Sequence, residues 1–315
     1  MSLAHARLGP PPTTRGRSPR PDSRPARRTI PSTVRGGTVV RAGGATSDAS
    51  STSSSSTPPP SHAYDALVFD LDGVLYPADN GYMSHVRDNA RRYIASRFDL
   101  SDDDAESLRR EAFALANQTV KGLRMLGREV DPDDFADFCR SGEERFLHPD
   151  DDVITCVSAL SARYGGVALG DDAGRAPGRA SPPGEPRRRE HRRMLLMTNA
   201  SEKRAKIALR CLGLDGMFHR VYGAAFMSPR AKPDEDAFRA VLSDAGVDPR
   251  RAVMFEDSLK NLKAAKRVGM RTVFVSGETA AAEGATGEDI KAVADAVVPA
   301  LRLADLVRAA PDLWR

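Results

Sequence analysis

The chain has 315 residues, of which 47 are Lys or Arg and 43 are Asp or Glu, and its net charge is +4. Residues 1–60 hold nine Arg against two Asp, so residues 61–315 carry a net charge of −3, which argues against a nucleic-acid-binding protein. The chain contains no run of 18 apolar residues, which is the length that predicts a transmembrane helix, so we expect no membrane partner. Cys139, Cys156 and Cys211 have no metal-ligand spacing, and we expect reduced thiols and no disulfide framework.

Residues 1–60 are predicted to be a disordered transit peptide and linker. They are rich in Arg, Ser and Pro and contain no Glu and no aromatic residue, so they cannot form a hydrophobic core. An Arg-rich, Ser-rich and acid-poor N-terminus is typical of an organellar import sequence. Residues 39–42 (VVRA) are similar to plastid processing sites, so we expect a chloroplast, with a mitochondrion or the cytoplasm as alternatives. A disordered basic tail without a targeting function is the other interpretation.

The rest of the chain alternates short apolar runs with helical patterns. Five runs are nearly continuous in apolar residues, as is typical of strands buried on both faces: 66–69, 194–197, 221–225, 252–255 and 272–275. Helices are predicted between these strands at 201–212, 234–245 and 258–268, and each is followed by a Gly near its C-terminus. Repeated β–α units predict the fold class, which is α/β with a Rossmann-like, doubly wound parallel sheet.

Two insertions interrupt this order. Between the first and second strands, a helical cap domain is predicted from four helical patterns: 85–98, 102–122, 133–146 and 151–164. The expected division is a cap at 81–155 and a catalytic core at 61–80 and 156–315. Within the core, residues 165–193 are rich in Gly, Pro and Arg, and we expect a disordered surface loop there, with partner binding as the alternative.

Asp70 and Asp72 directly follow the first predicted strand. Because they are two residues apart in an extended chain, both point to one side, at the strand end where open α/β sheets bind ligands. Two carboxylates this close repel each other unless a cation or a shared proton offsets the repulsion. The pair indicates a metal or proton-transfer site, although a pair of Asp residues can also simply cap a loop.

Three further groups follow later strands. Thr198 and Asn199 offer a hydroxyl and an amide just before a helix, where they bind an oxyanion or cap the helix. Lys232 precedes a proline in an extended turn, and its charge can hold a phosphate or lie in solvent. Glu256 and Asp257 are adjacent acids after an apolar strand, which suit either Mg²⁺ or the N-terminus of a helix.

All these groups fall at the carboxyl ends of predicted strands, in the order Asp-x-Asp, Thr, Lys, Glu-Asp. Together they resemble the haloacid dehalogenase superfamily of aspartate-nucleophile phosphatases, over residues 65–276. The resemblance implies a Rossmann-like core with a helical cap inserted after the first strand. It also implies that Asp70 attacks phosphorus and forms an aspartyl-phosphate, and that Asp72 acts as general acid and then as general base.

The same resemblance implies the binding groups of the site. The phosphoryl oxygens are expected to be held by Thr198, the backbone of Asn199 and Lys232. The expected cofactor is Mg²⁺, and the ligands that the resemblance implies for it are Asp70, the backbone carbonyl of Asp72, Asp257 and, directly or through water, Glu256.

The predicted cap suggests a substrate. Residues 117–127 (NQTVKGLRMLG) and 130–135 (VDPDDF) resemble the cap of pyrimidine 5′-nucleotidases of the yeast and plant type, which implies a nucleoside 5′-monophosphate such as UMP or CMP. Residues 140–147 depart from the His-Gly loop of that subfamily, so a sugar-phosphate phosphatase or phosphomutase is the alternative. A non-catalytic regulator that binds a phosphorylated metabolite is a third interpretation. In each case the expected partner is a small phosphorylated metabolite, and the oligomeric state stays open.

Overall fold

The computed structural model describes residues 63–165, 192–275 and 286–314. All of them belong to one compact unit, Thr57–Arg315. The predicted import sequence at 1–60 and residues 166–191 of the predicted surface loop lie outside the described residues, so both stay predictions. Every helix within the described ranges is too short or too polar to span a bilayer.

Six parallel strands form one sheet. They are β1 Ala66–Phe69, β2 Arg193–Met197, β3 Arg220–Tyr222, β4 Ala252–Glu256, β5 Arg271–Val275 and β6 Ala296–Val298. Their order in the sheet is β3-β2-β1-β4-β5-β6, so the chain starts in the middle, runs to one edge and then builds out to the other. This topology confirms the predicted α/β fold class with a doubly wound parallel sheet. Strand β6 is not among the predicted strands, because three residues give too short a pattern.

The central strand β1 is buried on both faces. Leu67 and Phe69 pack in one hydrophobic cluster, and Ala66 and Val68 pack in the other, as the two-residue repeat of a strand requires. The ring of Phe69 stacks on that of Phe255 in β4, with centroids 4.3 Å apart. The end of β1 is therefore fixed by packing on both sides of the sheet.

Four helices follow β1 and form a separate layer. They are α1 Tyr82–Phe98, α2 Asp102–Ala116, α3 Thr119–Met125 and α4 Pro132–Arg140. Their buried side chains form a hydrophobic cluster of their own, which includes Ile94 and Leu123. The single helix predicted at 102–122 is two helices, because Asn117 adopts the left-handed conformation with φ 53° and ends α2. The helix predicted at 133–146 likewise ends early, at Arg140.

The remaining helices of the described ranges cover the two faces of the sheet. They are α5 Asp151–Arg163, α6 Glu202–Cys211, α7 Ala224–Met227, α8 Glu235–Ala245, α9 Leu259–Val268, α10 Gly287–Val293 and α11 Leu303–Ala309. The helices predicted at 201–212, 234–245 and 258–268 correspond to α6, α8 and α9. Ser201 and Asp234 cap α6 and α8, since their side chains accept hydrogen bonds from backbone N–H groups of the first turn.

Helix α5 was predicted as the fourth helix of the cap, yet it packs with the sheet. Its buried residues Val153, Cys156 and Leu160 lie in the same hydrophobic cluster as Leu67 of β1. The cap limit predicted at residue 155 therefore falls inside a helix whose apolar face belongs to the core. The reason is that a helical pattern reports which face is apolar but not which partner covers it. The rest of the predicted division into cap and core stays a prediction.

Candidate active site

The predicted site residues converge at one edge of the sheet. Asp70 follows β1, Thr198 follows β2, and Glu256 is the last residue of β4. Because β2, β1 and β4 are parallel neighbours, their carboxyl ends lie side by side. Lys232, from the turn that precedes α8, reaches the same place.

Lys232 links two carboxylates of the site. Its Nζ lies 2.8 Å from Oδ1 of Asp70 and 2.8 Å from Oε2 of Glu256, and its side chain is only 1% exposed. Burial lowers the pKa of Lys232, but the charges of Asp70 and Glu256 more than offset this effect and hold the pKa above its ordinary value. Lys232 is therefore a buried cation, and the alternative of a lysine in solvent is wrong.

Asp70 is oriented by the backbone around it. Its N–H donates to the carbonyl of Phe255 at 2.9 Å, and its Oδ1 accepts from the N–H of Leu71 at 2.7 Å. Burial and the charge of Glu256 raise the pKa of Asp70 well above its ordinary value, although Lys232 opposes the shift. A divalent cation bound beside Asp70 would oppose this shift and favour the carboxylate.

Glu256 is fully buried and uses both of its carboxylate oxygens. Oε1 accepts from the N–H groups of Asp257 and Ser258 at 3.2 Å each, and Oε2 accepts from Nζ of Lys232. Burial and the charge of Asp257 raise the pKa of Glu256, and the charge of Lys232 lowers it. The net result is a pKa above the ordinary value. Glu256 thus fixes the position of Lys232, in addition to being a candidate metal ligand.

Asp70, Glu256 and Asp257 could hold a metal ion. Each offers a carboxylate oxygen, and the three oxygens lie within 4.8 Å of one another. Gly73, with φ 78°, makes room for them, since a Cβ there would lie 2.0 Å from Oδ2 of Asp257. When all three carboxylates are ionised, the cation of Lys232 offsets one of their charges and two negative charges remain. The donor set therefore fits a divalent cation that prefers oxygen ligands, such as Mg²⁺.

Thr198 and Asn199 shape the turn after β2. The hydroxyl of Thr198 is buried and accepts a hydrogen bond from the N–H of Ala200 at 3.1 Å. The side chain of Asn199 binds the backbone of Lys232: Oδ1 accepts from its N–H at 2.9 Å, and Nδ2 donates to its carbonyl at 3.0 Å. The sequence predicted that an amide of Asn199 binds an oxyanion or caps the helix, and the resemblance implied that its backbone holds the phosphoryl group; the phosphate-binding role stays a prediction. The contact of its side chain with Lys232 was missed.

Asp72 contacts the cap. Nη1 and Nη2 of Arg140 lie 3.0 and 2.6 Å from its two carboxylate oxygens, and the hydroxyl of Tyr76 also donates to it. Burial raises the pKa of Asp72, but Arg140 and Tyr76 more than offset this effect and hold the pKa below its ordinary value. The sequence did not predict Arg140 as a site residue, because it lies 68 residues from Asp72. The departure of residues 140–147 from the subfamily pattern was the available signal.

Comparison with known proteins decides the family. A model of the haloacid dehalogenase-like hydrolases matches residues 64–269. This chain belongs to that family. Among its relatives, Protein CbbY of Cereibacter sphaeroides is 29% identical over 217 residues, which cover 68% of this chain and 84% of the relative.

Solved structures of haloacid dehalogenase-like proteins share the fold. A HAD phosphatase from Thermococcus onnurineus is 17% identical with a TM-score of 0.50, and the match covers 78% of this chain and 96% of that one. CbbY from Rhodobacter sphaeroides, in complex with phosphate, is 21% identical with a TM-score of 0.49, and the match covers 80% and 100%. The predicted superfamily and its hydrolase class are confirmed, whereas the pyrimidine 5′-nucleotidase subfamily stays a proposal.

Proposed function

We propose that this hydrolase is a phosphatase that cleaves a small phosphate monoester through an aspartyl-phosphate on Asp70. The observation that carries the proposal is the 2.8 Å contact between Asp70 and the buried cation of Lys232, at the edge of the sheet where two more carboxylates lie. A carboxylate held in one orientation is suited to attack, and a buried lysine stabilises the negative charge of a transferred phosphoryl group.

Two steps complete the reaction. In the first, a carboxylate oxygen of Asp70 attacks phosphorus, the bond from phosphorus to the leaving group breaks, and Asp72 gives a proton to the leaving alkoxide. Asp72 can carry this proton once the substrate has separated it from Arg140, whose charge otherwise lowers its pKa. In the second, water attacks the aspartyl-phosphate, Asp72 takes a proton from that water, and phosphate leaves Asp70. An alkoxide needs the proton that a halide does not, so the acid two residues after Asp70 supports phosphoryl transfer over dehalogenation.

We further propose Mg²⁺ as the cofactor. The ligands would be Asp70, Asp257, Glu256 and the backbone carbonyl of Asp72. The two negative charges that Lys232 leaves uncompensated on the three carboxylates support this choice. When bound, Mg²⁺ offsets the repulsion between the carboxylate of Asp70 and a phosphate dianion. The oxygens of the phosphoryl group would be held by the residues predicted for them, which are Thr198, the Asn199 backbone and Lys232.

A nucleoside 5′-monophosphate is the first candidate substrate. The support is the resemblance of residues 117–127 to the cap of pyrimidine 5′-nucleotidases, together with the position of this segment. Nδ2 of Asn117 lies 3.1 Å from the carbonyl of Lys232, so residues of this segment reach the part of the core that is proposed to hold the phosphoryl group.

The position of Arg140 favours a second candidate, a sugar phosphate whose leaving group carries an anionic substituent, cleaved by a phosphatase or used by a phosphomutase. Removing one partner of a buried ion pair costs about 3–5 kcal/mol, and a neutral hydrogen bond returns only about 1 kcal/mol. If a substrate separates Arg140 from Asp72, the lost ion pair is therefore best replaced by a contact between Arg140 and an anionic group of the substrate. A carboxylate or a second phosphate on the leaving group would supply that contact.

We also propose that residues 1–60 direct the protein to a chloroplast, on their composition alone. Fusing these residues to a fluorescent reporter tests the proposal. We expect the signal in plastids, and a diffuse cytosolic signal would contradict it.

A phosphate-release screen tests the activity. Full-length protein is incubated with Mg²⁺ and a panel of nucleoside monophosphates, sugar phosphates and sugar bisphosphates, with Asp70→Asn and chelated metal as controls. We expect release with wild-type protein only. Release by Asp70→Asn at the wild-type rate would refute the mechanism, and no release from any substrate would favour a non-catalytic binder.

A further inference from the structure

A short turn of the cap touches the phosphate-binding part of the core. It consists of Asn117 and Gln118, which lie between α2 and α3. Nδ2 of Asn117 donates to the carbonyl of Lys232 at 3.1 Å, and Nε2 of Gln118 lies 3.5 Å from the carbonyl of Asn199. These contacts join the helical layer to the two core segments that carry Lys232 and Asn199.

The backbone of Lys232 is therefore held from two sides. Asn199 of the core binds both its N–H and its carbonyl, at 2.9 and 3.0 Å. Asn117 of the cap donates to the same carbonyl, so this oxygen uses both of its lone pairs. Of these two partners, Asn199 belongs to the same layer as Lys232, whereas Asn117 reaches it only when the cap lies against the core.

Local structure fixes the side chain of Asn117. Its φ of 53° and ψ of 15° are left-handed values that Asn tolerates better than most residues, and its N–H closes α2 on the carbonyl of Phe113 at 2.7 Å. Gly122 brings α3 against α2, since a Cβ there would lie 1.9 Å from the carbonyl oxygen of Ala112. The turn is thus a rigid corner that presents the amide to Lys232.

The position of the Lys232 backbone matters because its side chain ends between two carboxylates of the site. Nζ lies 2.8 Å from both Asp70 and Glu256, and the side chain is buried along its length. A shift of about 1 Å in such a group can cost about 100-fold in rate. A contact that fixes the Lys232 carbonyl therefore acts on the charge that faces the nucleophile.

We propose that Asn117 is a positioning residue, which places Lys232 for phosphoryl transfer when the cap lies on the core. The proposal rests on the proposed function in one respect, that Lys232 holds the transferred phosphoryl group. Asn117 itself touches neither the nucleophile nor the acidic group among the described contacts. Its contribution is to make the correct position of Lys232 depend on the position of the cap.

Three variants test this. Asn117→Asp keeps the shape and the left-handed backbone but replaces the N–H donor with an oxygen that repels the Lys232 carbonyl. Asn117→Gly keeps the backbone and removes the amide. Asp99→Gly is the matched control, because Asp99 ends α1 with the same left-handed conformation, at φ 52°. The probe is p-nitrophenyl phosphate with Mg²⁺, and kcat, KM, inhibition by inorganic phosphate and the midpoint of thermal unfolding are measured.

We expect Asn117→Asp and Asn117→Gly to lower kcat at least about tenfold and to weaken inhibition by phosphate, while KM changes less than kcat. Asp99→Gly should keep wild-type kcat and phosphate inhibition. Wild-type kcat in both Asn117 variants would overturn the proposal, as would an equal loss in Asp99→Gly or a loss that follows the unfolding midpoint alone. Wild-type protein that neither cleaves the probe nor binds phosphate would instead refute the proposed function.

Discussion

Arg140 of the cap and Asp72 of the core form a bidentate ion pair, with distances of 3.0 and 2.6 Å between the guanidinium nitrogens and the carboxylate oxygens. Both side chains are mostly buried, at 12% and 21% exposure. The carbonyl of Arg140 also accepts a hydrogen bond from the hydroxyl of Tyr82 at 2.9 Å, which fixes the end of α4. The residue proposed as general acid and base is therefore held by a side chain of the cap.

Replacing Arg140 should change substrate preference more than basal activity. In Arg140→Gln, we expect kcat/KM for a substrate with an anionic leaving group to fall about tenfold or more, because the charge-assisted contact is lost. For p-nitrophenyl phosphate, whose leaving group has no such substituent, kcat/KM should change less than about threefold. Steady-state kinetics with both substrates check this.

Arg145→Gln is the control for this variant, because Arg145 lies five residues on, is exposed and contacts the ring of Phe146 instead of Asp72. It should leave both substrates unaffected. Equal losses on both substrates in Arg140→Gln would mean that Arg140 acts through Asp72 or the fold and does not contact the leaving group.

Gly73 should be intolerant of any side chain. In Gly73→Ala the new Cβ would lie 2.0 Å from Oδ2 of Asp257, and φ would stay at 78°, so we expect the carboxylate to move and Mg²⁺-dependent activity to fall at least about 100-fold. Gly246→Ala is the matched control, since Gly246 has φ 66° and nothing within 4 Å of its added Cβ.

The control should lower the free energy of unfolding by about 1 kcal/mol, the cost of a left-handed alanine, and leave activity intact. Activity and denaturant unfolding of both variants are compared. If Gly73→Ala kept wild-type activity, the close approach of Asp257 to this loop would have no catalytic importance.

The core of the site could be predicted from the sequence, because its parts are local. Asp70, Thr198 and Glu256 each follow or end an apolar run, and parallel strands bring their carboxyl ends together without further information. The cap contacts could not be predicted in the same way. Arg140 and Asn117 reach the core only through the packing of the helical layer, and no spacing pattern encodes that placement.

Two errors in the predicted elements have the same origin. The break at Asn117 falls within a continuous helical pattern, and a left-handed residue leaves no mark on hydrophobic periodicity. Helix α5 has the expected apolar face, yet that face covers the sheet and not the cap. Periodicity predicted that both segments are helical but not where one ends or what the other packs against.

The cap should lose stability in acid through Glu106. Hydrogen bonds from Arg109 lower the pKa of Glu106 to about 2; burial opposes this shift, and Arg110 lowers the pKa further. A lowered folded-state pKa stabilises the protein above the unfolded-state value of about 4.3, and this stabilisation is lost as the pH falls towards about 2. Because the pair with Arg110 is exposed to solvent, we expect at most about 1 kcal/mol.

The difference in unfolding free energy between wild type and Glu106→Gln should therefore shrink as the pH falls from about 5 to about 2. Denaturant unfolding followed by circular dichroism measures it, with Glu111→Gln, an exposed glutamate of the same helix, as control. A difference that stays constant over this range would contradict the assigned pKa.

Mg²⁺ should stabilise the protein by binding the carboxylates of Asp70, Glu256 and Asp257. A cation that binds only the folded state raises the free energy of unfolding by RT ln(1 + [L]/Kd), so the unfolding midpoint should rise with Mg²⁺ concentration and fall again with a chelator. Asp257→Asn should reduce or abolish the rise, because it removes the negative charge of one of the three clustered carboxylates. Asp103→Asn, which removes an exposed acid of α2, should keep it. An equal rise in all three proteins would indicate screening by salt and no specific site.

The central claim is that Asp70 carries the phosphoryl group. Protein quenched in acid during turnover, digested and analysed by mass spectrometry tests this directly. With p-nitrophenyl phosphate, whose leaving group needs little help from a general acid, Asp72→Asn should increase the signal because the second step loses its general base. We predict phosphorylation of the peptide that contains Asp70, on Asp70 itself, and none in Asp70→Asn. Turnover with no phosphate on Asp70, or with phosphate on another residue, would contradict the account.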